Sequence, residues 1–230
     1  MEHGSGALFH IGPMPISSYT VTMLATTIIL GLLAFFATRK IKKSPGKLQL
    51  LAEMTVGGLR GFFYDILGKE KGKTFLPLLG TLFIFILISN LAGLLPFAGH
   101  LPGLASPTST LSVTVALSVI IFFVTHMAGF KYNKISYLRH FVTPVAFLLP
   151  LTIMEEFVRP LSLSVRLYGN VFGDESVIAQ LANMVPYGLG VPVIMALLTV
   201  LLSLIQALVF TLLSAILIQA LVLKLIQHGS

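Results

Sequence analysis

The sequence predicts an all-α membrane protein with five transmembrane crossings, one amphipathic helix on the cytoplasmic surface and a long tilted helical hairpin at the end. Three observations carry that expectation. Charged residues are 10% of the 230 residues and the mean hydropathy is +0.95, whereas an ordinary soluble domain is about 25% charged. Apolar segments near the ~20 residues needed for a bilayer alternate with short turns or charge clusters. Nine of the fifteen Lys and Arg residues lie between Arg39 and Lys73, and Lys131, Lys134 and Arg139 share one later loop, as cytoplasmic flanks do. The formal charge of +7 therefore reads as membrane orientation, because a nucleic-acid groove needs a basic face on a folded soluble surface. The absence of Cys excludes disulfide, thioether-haem, iron–sulfur and thiol chemistry. The chain reads as a single membrane domain over 1–230, with no room for a separate catalytic domain.

Residues 1–18 lack a positive n-region, which argues against a cleaved signal peptide and places this segment outside the membrane. The first crossing is expected over 19–38, stopped by Arg39-Lys40-Ile41-Lys42-Lys43. After the turn signal Ser44-Pro45-Gly46, residues 48–67 mix Glu53, Arg60 and Asp65 with Leu59, Phe62, Phe63 and Ile66, which predicts an amphipathic helix along the cytoplasmic surface or packed under the bundle. From Thr74 to Phe130 there are 57 residues without a formal charge. As one helix they would reach about 85 Å, nearly three hydrocarbon thicknesses. The stretch must turn, and Leu95-Pro96 through Ala105-Ser106-Pro107 supplies the turn, so 75–130 is a helical pair. Residues 142–226 read as two long helices broken near Pro186-Tyr187-Gly188. The first of them could exceed about 60 Å, which demands tilt or bending, with Pro150 and Pro160 as bend positions.

Arg166 is the costliest residue of the chain to place in a membrane. It stays protonated between Leu163, Val165 and Leu167, and an Arg at a helix centre costs about 2.5–3.5 kcal/mol on insertion scales. It therefore faces protein, a water-filled cavity or a carboxylate, or else it snorkels or closes an intrahelical ion pair. Asn170 lies four residues on, on the same face. Glu175 is nine residues on, so at about 100° per residue it points about 180° away and is free to exchange protons elsewhere. Asp174 diverges from it by about 100°. In the last helix Thr199, Ser203, Gln206 and Ser214 share roughly one face, either as a hydrophilic pathway or as helix–helix hydrogen bonds. The six histidines show no i,i+4 pair, so neither a metal nor a cofactor is expected.

The run Arg159-Pro160-Leu161-Ser162-Leu163-Ser164-Val165-Arg166-Leu167-Tyr168-Gly169-Asn170, followed by Gly173-Asp174-Glu175, resembles the signature of subunit a of the rotary F-type ATP synthases. Further matches are Ile88-Ser89-Asn90-Leu91-Ala92-Gly93-Leu94-Leu95-Pro96, Ala105-Ser106-Pro107-Thr108 and Ile205-Gln206-Ala207-Leu208-Val209-Phe210. The resemblance extends over about residues 19 to 225. In motif style it is nearest the photosynthetic-type subunits: Pro150-Leu151-Thr152 lacks the early acid of many bacterial members, and the acids come later at Glu155 and Glu156. Thr199 stands where some relatives have His or Glu.

The resemblance implies that Arg166 is the essential stator arginine, with Asn170 its neighbour on the ring-facing side, Glu175 the channel carboxylate and Gln206 the last-helix glutamine near the arginine. Asn90, Asp174, Thr199 and Ser203 are the channel-lining candidates. It also implies two offset half-channels, protons or sodium as the translocated ion, and as partners the c-ring, the peripheral-stalk b subunits, the rest of the synthase and membrane lipid. No nucleotide chemistry is expected of the chain itself, which has no Gly-rich phosphate loop. The location implied is a bacterial plasma membrane or a thylakoid. From the residues alone, a secondary transporter with an anion-binding Arg166 and a structural membrane scaffold remain open.

Overall fold

A computed structural model of the chain describes residues 7–11, 14–39, 47–93, 106–132, 149–184 and 190–227. Among these the long elements are α1 Ser18–Arg39, α2 Lys47–Leu67, α3 Lys69–Ala92, α4 Leu111–Tyr132, α5 Leu149–Met184 and α6 Gly190–Gln227, with a 3-10 turn at Pro107–Ser109. The architecture is helical, as the composition and the apolar segments require. Ahead of α1 the structure adds a short antiparallel ribbon, β1 Ala7–Ile11 with β2 Met14–Ser17, in which Ile11 lies opposite Met14. The strands flank Gly12 and Pro13, a turn signal in the sequence.

Among the described residues three helices are long and apolar enough to cross a membrane, over Lys69–Ala92, Leu111–Phe130 and Ile194–Ala220, and α1 contributes the shorter apolar stretch Thr20–Leu32. α5 is 36 residues long, about 54 Å at 1.5 Å per residue, and it continues as helix through Pro160. The expected turn over 95–105, the loop with Lys134 and Arg139, residues 142–148 and the break near Pro186 lie outside the described residues.

α6 forms the centre of the bundle, packing against α2, α3, α4 and α5. Around its Ala207 and Phe210, Leu82, Phe83 and Ile86 of α3, Leu117 and Ile121 of α4, and Leu163, Leu167 and Val171 of α5 form one buried cluster. A second cluster joins Phe63 and Leu67 of α2 to Phe75 and Leu79 of α3, Ala128 of α4, and Ala215 and Ile218 of α6. α2 is thus tucked under the bundle by one face while Glu53, Arg60 and Asp65 stay exposed. Apolar side chains also cover the outside, including Phe123, Met127, Leu161 and Leu197. Lipid tails are as apolar as Leu, so no hydrophobic drive hides these side chains, and the helices associate instead by close packing and buried polar contacts.

α2 and α3 are separated by a single residue. Gly68 holds φ 78° and ψ 160°, a combination essentially restricted to glycine because a Cβ would strain the backbone. A Cβ there would meet nothing within 4 Å, so the cost of substitution lies in the backbone. Gly68→Ala is expected to destabilise the detergent-solubilised protein by about 1–3 kcal/mol, read as a lowered thermal unfolding midpoint. A parent-like midpoint would show that the turn relaxes without strain.

Candidate functional site

α5 docks through a row at i, i+4 and i+8, namely Leu163, Leu167 and Val171, all at most 7% exposed. That row sets the rotation of the helix. Arg166 and Asn170 lie about 100° and 60° round the helix from the middle of that row and are exposed. Arg159 is held by Glu155 at 2.5 Å and by Glu156 at 3.7 Å on its own helix. Arg166, by contrast, makes no ion pair among the described residues.

Asn170 Nδ2 donates to Gln206 Oε1 at 2.6 Å, joining α5 to α6 across 36 positions of sequence. Gln206 is 5% exposed, and its Nε2 has no partner among the described residues. A buried amide donor left unpaired costs about 1–3 kcal/mol. Ser203 is buried one turn earlier and Thr199 is half-buried one turn before that, so the polar stripe of α6 leads towards Gln206. Ser214 belongs to the same face, but its hydroxyl donates to its own helix at Phe210 O, 2.8 Å away.

Glu175 sits in a second, separate group. It lies about 13 Å along α5 from Arg166 and half a turn round. Its carboxyl lies against Gly93 at the end of α3, within hydrogen-bonding reach of the Ser109 hydroxyl and the Ser106 backbone N–H. Asn90, 3% exposed, belongs to this group. Ser106 Oγ donates to Ser89 O at 2.9 Å and lies 2.8 Å from Thr108 Oγ1, which lies 2.6 Å from Asn90 Oδ1. The two hydroxyls carry two protons for three contacts. Thr108 donates to Asn90 Oδ1, and Asn90 Nδ2 has no partner among the described residues. Asp174, beside Glu175 in sequence, is half-buried.

The structure therefore divides the residues singled out from sequence. Asn170 and Gln206 meet between α5 and α6, with Arg166 one turn along α5 and Ser203 and Thr199 one and two turns along α6, while Glu175 and Asn90 gather between α5, the end of α3 and the turn at Pro107–Ser109. Ser89, Gly93, Ser106, Thr108 and Ser109 complete the second group and were not singled out as site residues. Their signal in the sequence is the concentration of small and hydroxyl side chains on either side of the 95–105 turn. A further cavity of about 10 Å³, room for roughly one water, lies between α4 and α5 beside Thr125, His126, Glu156 and Arg159. Among the described residues no three His, Cys, Asp or Glu side chains are grouped to hold a metal ion.

Comparison with known proteins identifies the family of the chain. The sequence model of the family described as ATP synthase A chain matches residues 19–219. ATP synthase subunit a of Moorella thermoacetica is 43% identical over 90% of this chain and 91% of its own length. ATP synthase subunit a 3 of Pelobacter propionicus is 38% identical over 93% of this chain and 90% of its own. ATP synthase subunit a of Geobacter sulfurreducens is 40% identical over 88% and 85%. With the match covering nearly all of the helical bundle and both polar groups, the chain belongs to the ATP synthase A chain family, the a subunits of F-type ATP synthases.

Proposed function

We propose that this chain is the ion-translocating stator of a rotary ATP synthase, in which Arg166 faces the carboxyl groups of a c-ring and two offset half-channels reach that contact from opposite sides. The observation that carries the reading is the arrangement on α5. A permanently charged Arg166, in no ion pair among the described residues, faces outward one turn from Asn170 and its bond to Gln206, while Glu175 is held half a helical turn away in a separate hydroxyl-lined group. A ring carboxyl crosses lipid only when neutral, because an unpaired ion there is prohibitively costly. On reaching the stator it loses its proton into one half-channel, and Arg166 stabilises the anion and blocks a direct leak. Reprotonation from the other half-channel releases it, so that rotation follows the ion gradient. In this reading Glu175, Asn90 and Asp174 belong to the outer half-channel, and Gln206, Ser203 and Thr199 line the polar face next to the arginine. A scaffold role would instead place Arg166 in a buried ion pair, which no described acid makes.

The proposed partners are the c-ring, the peripheral-stalk b subunits, the rest of the synthase and the surrounding lipid, with protons as the translocated ion and sodium as the alternative. The proposed setting is a bacterial plasma membrane, with a thylakoid as the alternative. Five crossings follow if α1 and α5 span together with α3, α4 and α6, leaving the N-terminus outside and the C-terminus cytoplasmic. With no native Cys, Gly99→Cys and Lys134→Cys are expected to react with an impermeant thiol reagent from opposite sides of the membrane, and same-side labelling would overturn the topology. Affinity purification of the chain is expected to bring down a c-ring, and its reconstitution without a ring is expected to show no saturable solute flux. Such flux by the chain alone would favour a secondary transporter.

A further inference from the structure

Gly93 caps α3 with φ −68° and ψ −18°, right-handed values that any residue adopts. Backbone freedom therefore gives no reason for glycine there, but space does. A Cβ on Gly93 would lie 2.5 Å from Glu175 Oε1, closer than side-chain carbons approach their neighbours, and 3.0 Å from Ser106 Cβ, a tight contact. Gly169 and Gly173, on α5 itself, would meet nothing within 4 Å. Among the described glycines the other crowded position is Gly72, which meets the ring of Tyr64 near the start of α3.

Resting on the stator reading above, we propose that Gly93 is a positioning residue for the Glu175 carboxyl, whose missing side chain is the space that the carboxyl occupies. Glu175 reaches Gly93 from α5, and the Ser106 N–H and the Ser109 hydroxyl meet it from the turn before α4. Ser106 is itself tied to α3 through Ser89 O at 2.9 Å, so the turn cannot retreat without breaking that bond. A methyl at 93 must push either the carboxyl or the turn. Returning a 2.5 Å approach to an ordinary contact of 3.4 Å moves the carboxyl by about 0.9 Å, and misplacements of about 1 Å cost reactions up to 10²-fold. Shortening the acid by one methylene, as in Glu175→Asp, draws the carboxyl back from the new methyl.

The test is proton flux through the assembled membrane sector, stripped of its soluble part and normalised to assembled complex. Gly93→Ala is expected to lower flux about tenfold, and adding Glu175→Asp is expected to raise it at least threefold above Gly93→Ala alone. The carboxyl infrared band of Glu175, assigned by difference against Glu175→Gln, is expected to shift in Gly93→Ala. Parent-like flux with an unshifted band would overturn the proposal. So would a loss that Glu175→Asp deepens and Ser106→Gly relieves, since the crowding would then concern the turn and not the acid. Flux in the parent that is indifferent to Arg166→Ala would instead sink the stator reading, and the infrared band would still decide whether Gly93 seats the carboxyl.

Discussion

Arg166→Ala, in an otherwise assembled synthase, is expected to lower gradient-driven ATP synthesis by about a thousandfold while leaving nucleotide hydrolysis by the detached soluble sector intact. The magnitude follows from the charge that is lost. A guanidinium about 4 Å from a ring carboxylate contributes about 4 kcal/mol at an effective dielectric of 20, and each 1.36 kcal/mol is about tenfold in rate. That contribution matches the drive on one charge crossing a potential of about 170 mV, at about 2.3 kcal/mol per 100 mV. Arg159, the other arginine of α5, is already engaged by Glu155 and Glu156 and does not stand in for it. The variant also removes the barrier between the half-channels, so passive proton leak through the membrane sector is expected to rise. Near-normal synthesis by a stably assembled Arg166→Ala complex would refute the stator assignment.

Glu175→Gln is expected to reduce proton flux through the membrane sector by at least about tenfold with little change in assembly. The amide keeps the size of the side chain and can still accept from the Ser106 N–H, but it cannot exchange a proton with a neighbouring water or a passing site. Glu175→Asp retains titration and should conduct better than Glu175→Gln. Asp174→Asn should be the mildest of the three, because Asp174 diverges by about 100° from Glu175 around the helix axis. Flux is compared across the variants after removal of the soluble sector and normalisation to assembled complex. If Glu175→Gln conducts like the parent over the working pH range and Asp174→Asn is blocked, the channel role belongs to Asp174.

Much of this arrangement is legible in the order of the amino acids, and the legible parts have one thing in common. Hydropathy and charge clustering are one-dimensional properties, so apolar segments and basic flanks can be read off directly. Directions within one helix are equally accessible, since a rotation of about 100° per residue places Asn170 beside Arg166 and turns Glu175 to the opposite side. The amphipathic character of residues 48–67 follows from the same geometry and agrees with a helix that buries Phe63 and Leu67 while exposing Glu53, Arg60 and Asp65.

Contacts between helices are another matter, because the rotation and axial offset of one helix against the next are set by packing many side chains at once. The Asn170–Gln206 bond spans 36 positions and depends on how the Leu163, Leu167 and Val171 row seats against α4 and α6. Glu175 has its polar neighbours only because the turn at Pro107–Ser109 folds over the end of α3, where Ser106 binds Ser89 O and Thr108 meets Asn90. Gly93 looks in sequence like an ordinary helix-ending glycine, and only the approach of the Glu175 carboxyl reveals it as reserved space. Covalent geometry and transfer free energy act residue by residue, so a helical membrane bundle, its orientation signals and the angular order of polar groups along each helix are already properties of the linear chain. Which of those groups meet is a property of the packed bundle, because close packing admits few relative placements of the helices and no single helix carries the information that selects among them.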